Sequence, residues 1–202
     1  MAVEGSREAI LERIRMALKS QSENVSEKPD FQSEIYAQVP DQDMVVRFAE
    51  TFSDRKGILY YSQSLEEFRA QLSQLVAQRG FKHIHAWEKE LVEELRACSF
   101  GFSSTDRNFQ EMDCGISLCE CLISRTGSIL VSSRQLAGRR LTIYPPTHIV
   151  VASAGQMVPD IKEAMAFMQK KYGQNLPSMI SMITGASRTA DIEKTLVMGA
   201  HG

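Results

Sequence analysis

The chain has 202 residues, 43% hydrophobic and 24% charged, a composition that suits one folded domain with a sizeable core and excludes a disordered, collagen-like or coiled-coil protein. Its formal charge of -2, from 23 basic and 25 acidic residues, lacks the basic excess that a nucleic-acid coat needs to neutralise phosphates. Four cysteines are too few for a disulfide scaffold, so reduced thiols and a cytoplasmic protein are expected.

The N-terminal stretch alternates charged with apolar residues and has no apolar run of signal-peptide type. The longest apolar stretches, such as Ile149 to Ala152, have the length of a strand and not of a membrane span. Ile10, Leu11, Ile14 and Leu18 share one helical stripe, which predicts an amphipathic first helix that packs either on its own domain or on a partner chain. Ser20 to Gln42 is polar and punctuated by Pro29 and Pro40, as expected of a surface linker. The expected division is an N-terminal helix and linker over 1–40 and an α/β domain over 41–202.

Within that domain Val45, Phe48 and Phe52 mark a helix, and Gly57 to Tyr61 a short strand. Ser64 and Glu67 form a capping box before the stripe Leu65, Phe68, Leu72, Leu75 and Val76, which Gly80 ends. Phe81 to Trp87 alternates as a strand, and Leu91, Val92 and Leu95 mark a short helix. This βαβα order predicts a parallel sheet covered by helices. Ile116 to Ser133 holds two β-rich runs joined at Arg125-Thr126-Gly127, a hairpin turned at the glycine. An irregular arginine-rich loop leads to a strand over Thr147 to Ala152. A helix follows, with the stripe Ile161, Met165, Met168 and Tyr172, stopped by Gly173. Ser178 to Thr184 is apolar on both faces, as in a strand buried between helix layers. A last helix is expected to begin at Ser187 or Thr189.

The sharpest chemical feature is Thr184-Gly185-Ala186-Ser187-Arg188-Thr189-Ala190-Asp191-Ile192-Glu193, read as a strand-loop-helix. Ligands of open parallel sheets bind at the carboxyl ends of strands. Glycine admits close backbone approach, and free amides at a helix start attract anions. Gly185, Ser187, Arg188 and Thr189 are therefore candidate ligand contacts, with Asp191 as orienter or acid/base. The same residue types also make an ordinary helix cap. Between Glu120 and Asp160 there is no acidic residue, yet Arg125, Arg134, Arg139 and Arg140 all fall there. That interval carries +4 and the rest of the chain -6, out of a total of -2. Either the guanidinium groups converge on an anion, or each has an acidic partner elsewhere in the fold.

Thr126, Gly127 and Ser128 place a glycine and two hydroxyls at a turn, a pattern that serves a phosphate-contacting loop or a plain turn. His148 follows a stiff Pro145-Pro146 turn and is a candidate acid/base or a structural histidine. Cys114, Cys119 and Cys121 have a spacing that matches neither a zinc knuckle nor a ferredoxin run. On one strand Cys119 and Cys121 would share a face, with Glu120 on the other, and all three thiols read as small buried hydrophobes. His83 and His85, on one strand face with Phe81 and Trp87, are two ligands without a third.

Three segments, taken together and in order, resemble the LUD domain family. They are Leu122-Ile123-Ser124-Arg125-Thr126-Gly127-Ser128-Ile129, Tyr144-Pro145-Pro146-Thr147-His148-Ile149-Val150-Val151, and Gly185 to Glu193 running on to the terminal Gly199-Ala200-His201-Gly202. Arg7 to Ile14 also resembles the opening helix of that family. The resemblance implies an α/β, Rossmann-like fold of the NagB/RpiA/CoA-transferase-like group, with helices on both faces of a parallel-containing sheet plus a β-hairpin. It further implies a part in oxidising L-lactate to pyruvate with partner proteins that carry iron–sulfur clusters. No cofactor is expected on this chain, which lacks ferredoxin-type cysteine runs. The expected ligand is a small anionic metabolite (lactate, pyruvate or a phosphate-bearing one) near 184–193, with Arg140 and the 126–128 turn contributing and Asp191, Glu120 and His148 as candidate catalytic groups. A homo-oligomer is left open, and neither nucleic acid nor a membrane span is expected. Two alternative readings are a stand-alone enzyme on a phosphorylated or CoA-linked metabolite and a binding or regulatory module without chemistry.

Overall fold

The computed structural model describes residues 4–19, 43–185, 188–190 and 196–198. The chain divides into two units, Met1–Pro40 and Asp41–Gly202. In the first, α1 (Glu4–Lys19) is the helix predicted from the stripe at Ile10, Leu11, Ile14 and Leu18, and its side chains from Arg7 to Lys19 are exposed. The expected linker over Ser20 to Gln42 lies outside the described residues.

The second unit begins with α2 (Met44–Asp54), capped by Asp43, whose carboxylate accepts from the Val45 amide at 2.8 Å. The α3 helix (Leu65–Arg79) follows the local signals closely. Ser64 Oγ accepts from the Glu67 amide, and Gly80 ends the helix at φ +68°. The Glu67 carboxylate accepts from Gln63 and not from Ser64, so the capping box is displaced by one residue. Then come β1 (Ile84–His85), α4 (Lys89–Leu95), β2 (Cys114–Leu118), β3 (Cys121–Ile123), β4 (Ser128–Ser132), α5 (Gly138–Ile143) and β5 (Thr147–Val151). They are followed by β6 (Met157–Val158), α6 (Ile161–Tyr172), β7 (Ile180–Ile183), β8 (Arg188–Ala190) and β9 (Leu196–Met198).

Two sheets form the body of this unit. The first is parallel, in the order β1-β2-β5. Leu72 and Val76 of α3 and Leu91 and Leu95 of α4 pack on one face, against Ile84, Cys114 and Ile116. On the other face α5 approaches so closely that a Cβ at Gly115 would stand 2.7 Å from the Leu141 carbonyl. The second sheet runs β6-β3-β4-β7, with β3 and β4 as the expected hairpin. Phe48 of α2 packs with Leu122, Ile129 and Val131, whereas Ala164 and Met168 of α6 pack with Cys121, Ile123 and Leu130. The result is α/β, with helices on both faces of a parallel-containing sheet.

Several expectations are corrected. Gly57 to Tyr61 forms no strand. The Gly57 amide closes α2 by bonding to the Phe52 carbonyl, and Ile58, Tyr60 and Tyr61 are exposed. Strand propensity yields a strand only where an edge is available to pair. The β-run before the hairpin is two strands, because the chain passes from the first sheet to the second at Cys119-Glu120. Cys119 therefore packs with Phe48 and Cys121 with Met168, so the two thiols enter different clusters instead of sharing a face. The arginine-rich loop contains the helix α5. The β7 strand, at an edge of its sheet, is half-buried: Ile183 joins the α2 cluster, Ile180 the α6 cluster, and Met182 is exposed. The α6 stripe is shifted, with Ala164 buried and Met165 exposed.

The largest correction concerns the expected last helix. Arg188, Thr189 and Ala190 are strand, paired antiparallel with Met198, Val197 and Leu196. Serine and threonine suit turns as well as helix caps, and Thr189 and Val197, both residue types that favour strands, are register partners. The strand-loop-helix over 184–193 is thus not formed at 188–190, and the helix-dipole argument for an anion there is lost. Ser187, Asp191 and Glu193 lie outside the described residues.

Gly127 and Gly80 separate two costs of replacing a glycine. Both have positive φ, but a Cβ at Gly80 meets open space while one at Gly127 would stand 2.7 Å from the Phe52 amide nitrogen. Gly80→Ala is expected to cost about 1–2 kcal/mol in urea unfolding, the ordinary left-handed penalty, and Gly127→Ala clearly more.

Candidate functional site

The hairpin turn and the end of β7 meet at a chain of hydroxyls. Ser128 Oγ donates to Thr126 Oγ1 at 2.7 Å, and Ser128 Oγ lies 2.8 Å from Thr184 Oγ1. Ser128 has one proton and gives it to Thr126, so Thr184 must be the donor to Ser128. That order leaves the Thr126 hydroxyl proton at the half-buried end of the chain. Gly127 and Gly185, at φ +60° and +85°, lie against α2, where Cβ atoms would meet Phe52 and the Arg55 carbonyl at 2.7 Å. Of the expected ligand contacts, Thr126, Gly127, Ser128 and Gly185 are thus brought together. Of Arg188 and Thr189 the structure gives only their place in the backbone of β8.

The arginines of the positive interval do not converge among the described side chains. Arg125 Nε bonds Asp160 at 2.7 Å, Arg134 donates to the Asn175 carbonyl at 3.1 Å, and Arg140 bonds Asp106 at 2.9 Å. The hydrogen bond from Arg125 holds the Asp160 carboxyl below its ordinary pKa. Arg140 also borders a cavity of about 500 Å³ beside Trp87, away from the hydroxyl chain. Nothing is described for the side chain of Arg139.

Glu120 is 1% exposed and is met by three donors, Ser132 Oγ at 2.6 Å and Lys171 Nζ and Tyr172 OH at 2.8 Å each. Burial alone would raise its pKa, but the bonds from Lys171, Ser132 and Tyr172 outweigh burial and hold the carboxyl below the usual glutamate value. A carboxylate so occupied anchors the fold and has little capacity left for substrate. His148, in β5, lies with Nε2 2.8 Å from Ser117 Oγ, and burial pushes its pKa down to about 4. At neutral pH it is an uncharged imidazole on the α5 side of the first sheet.

Burial pushes the Cys114 and Cys119 thiols up to about 12 and Cys121 to about 11, and Cys119 and Cys121 pack in separate clusters. Among the described residues no group of three or more His, Cys, Asp or Glu side chains could hold a metal ion, and no helix is long and apolar enough to cross a membrane. His85 is buried and lies 3.2 Å from the Thr105 carbonyl, while His83 is exposed.

Four functional-looking groups escaped the sequence reading: Thr184 as part of a hydroxyl chain, Ser117 beside His148, Lys171 and Tyr172 on Glu120, and the buried Glu88. Thr184 opens the segment read from the sequence with Gly185, but no contact was assigned to its hydroxyl. Glu120 was visible as the lone charge between Asp113 and Arg125, but its partners are set by folding alone.

The family model for the LUD domain matches residues 8–202. The relatives include lactate utilization protein C of Geobacillus thermodenitrificans, 34% identical over 46% of this chain and 40% of that protein. They also include lactate utilization protein C of Bacillus subtilis, 32% identical over 46% of this chain and 40% of that protein, and lactate utilization protein C 1 of Bacillus mycoides, 29% identical over 57% and 51%. The alignments thus span about half the length or less of the curated relatives. The crystal structure of a DUF162 family protein from Deinococcus radiodurans has the same fold, with a TM-score of 0.57, 17% identity, and coverage of 70% of this chain and 87% of that one.

Two outcomes follow from the buried groups. Because the Glu120 carboxyl titrates lower in the folded chain than unfolded, its contribution is complete above the ordinary glutamate pKa and is lost as the pH falls through the folded value. Lys171 is 47% exposed and stays hydrated without its partner, so Glu120→Ala is expected to cost about 1–3 kcal/mol in urea unfolding at pH 7, chiefly from the donors left unpaired, with the deficit shrinking on acidification. For His148, a ¹⁵N shift titration is expected to show a neutral ring through pH 6 with a midpoint near 4; a midpoint near the ordinary histidine value would contradict its burial.

Proposed function

Since the chain belongs to the LUD domain family, we propose that it serves in lactate utilization, binding a small anion while iron–sulfur partner proteins carry the electrons of L-lactate oxidation to pyruvate. The observation that carries this reading is the name shared by several relatives, lactate utilization protein C. Cys119 and Cys121 pack in different parts of the core, which supports placing the iron–sulfur clusters on the partners.

The anion site of this reading is the junction of the hairpin turn with the end of β7. The Thr126 hydroxyl is its neutral donor, at the end of the chain that runs from Thr184 through Ser128. Gly127 and Gly185 let the turn and the strand end pack closely against α2 and so bring the backbone of both segments to the same place. Arg188 begins the strand just beyond Gly185 and is the candidate cation of this reading; Ser187 and Asp191, the other candidates of the segment, lie outside the described residues. A carboxylate or phosphate held by a hydroxyl and a guanidinium needs no metal. Glu120 and His148 belong to other parts of the fold in this reading and act on it through packing alone.

Calorimetry with L-lactate, pyruvate and inorganic phosphate tests the site. Hydrogen bonds to a charged group are worth about 1.5–3 kcal/mol, so Arg188→Ala and Thr126→Val are each expected to weaken binding of the preferred anion by about tenfold or more. Unchanged affinity in both variants would remove the anion from this junction. Growth tests the pathway separately. A strain lacking the gene is expected to fail on L-lactate as sole carbon source and to recover with the wild-type chain, and normal growth would sink the assignment.

A further inference from the structure

The cavity of about 500 Å³ beside Trp87 lies just beyond the carboxyl end of β1 and at the first turn of α5. Ligands of parallel sheets bind at such strand ends, and the volume lies within the range of small-molecule sites. Its walls are tied to the sheet. The Ser103 amide donates to the Ile84 carbonyl at 2.8 Å and the Ala86 amide to the Ser103 carbonyl at 3.0 Å, so the loop that carries Thr105 and Asp106 is fixed on β1. The Thr105 carbonyl accepts from Trp87 Nε1 at 2.9 Å. The single donor of the indole is thus spent on this loop, and its ring, with the exposed Leu136, gives the cavity an apolar flank.

Among the lining side chains Arg140 and Asp106 alone are charged, so the cavity is neutral in sum but presents a plus and a minus side by side. One hydrogen bond joins them, from Arg140 Nη1 to Asp106 Oδ2 at 2.9 Å. Arg140 Nε and Nη2 and Asp106 Oδ1 make no hydrogen bond with the described residues. The guanidinium also lies over the Phe109 ring at 5.0 Å, and Phe109 meets Tyr144 edge-on at 5.1 Å, which holds the cation in place.

This charge pair selects the ligand. A lone carboxylate on Arg140 would face Asp106, and a lone ammonium on Asp106 would face Arg140; in each case repulsion offsets the attraction. A head group with both charges on one carbon meets neither penalty. Its carboxylate takes the open guanidinium donors and its ammonium the open Oδ1, closing a ring of alternating charges with the existing bond kept. We propose that the cavity binds a free α-amino acid with an apolar side chain, its carboxylate on Arg140, its ammonium on Asp106 and its side chain along Trp87 and Leu136. The cavity shares no residue with the junction of Thr126, Ser128 and Thr184, so the assignment stands or falls independently of the anion site there.

Trp87 is the only tryptophan of the chain, so its emission reports occupancy directly. Four probes at neutral pH separate the contacts: L-leucine, 4-methylpentanoate, which lacks the ammonium, 3-methylbutylamine, which lacks the carboxylate, and glycine, which lacks the side chain. The wild-type chain is expected to give a saturable emission change with leucine, about tenfold tighter or more than with each of the others. Asp106→Asn is expected to bring leucine and 4-methylpentanoate to equal affinity, and Arg140→Ala to do the same for leucine and 3-methylbutylamine. Both side chains are more than half exposed, so neither substitution is expected to shift Tm, and the changes report binding and not folding. No saturable change in the wild-type chain, affinity for leucine no greater than for the acid or the amine, or a preference that survives the matching substitution would overturn the proposal.

Discussion

The ion pair between Glu120 and Lys171 sits where the chain leaves one sheet for the other, and the arrangement of the larger unit depends on it. A carboxylate 1% exposed loses several kcal/mol of hydration, which only close and well-directed donors can offset. Those donors come from separate pieces: Ser132 from the end of β4, Lys171 and Tyr172 from the last turn of α6. The Glu120 amide also donates to the Leu130 carbonyl at 2.8 Å. One residue thereby fixes the hairpin, the helix over it and the passage between sheets.

Elements whose signals are local were legible in the sequence. The α3 helix carries its own cap at Ser64, its buried Leu72 and Val76, and its stop at Gly80, and the hairpin carries its turn at Gly127. What failed depends on partners distant in sequence. Gly57 to Tyr61 has strand composition, but a strand exists only where another edge receives it. Arg188 to Ala190 was read as a helix start because cap and turn residues are the same types, and the competing partner, Leu196 to Met198, offered no signal against that reading. The passage at Cys119-Glu120 was hidden for a different reason. Apolar and small residues flank it on both sides, so alternation gives no mark of which sheet each belongs to.

The candidate site divides in the same way. The turn at Thr126, Gly127 and Ser128 and the strand end at Gly185 were found separately, by glycine and hydroxyl content, and the fold joins them through Thr184. The arginine interval was misleading because a charge count has no geometry. Arg125 and Arg140 find carboxylates 35 and 34 residues away, and these pairings cancel the local excess that the count suggested. Buried polar groups such as Glu88 and Ser117 are invisible to composition, since only the fold decides which glutamates and serines lose water.

The α2 helix accounts for why the joined segments are held at close range. Gly127 and Gly185 are far apart in sequence, yet both adopt positive φ and both touch the same helix, at Thr51 and Phe52 and at Arg55. Phe48 and Phe52 stack at 5.3 Å and anchor that helix on Leu122, Ile129 and Ile183, which belong to the strands that carry the two glycines. Core packing and site geometry are therefore set by one contact surface. A side chain at either glycine would lift the turn or the strand end from α2, and the 2.7 and 2.8 Å spacings among Thr126, Ser128 and Thr184 leave no slack to absorb that movement. The close spacing of the hydroxyl chain is thus a consequence of the aromatic packing beneath it, while its direction, from Thr184 to Ser128 to Thr126, follows from the single proton of Ser128.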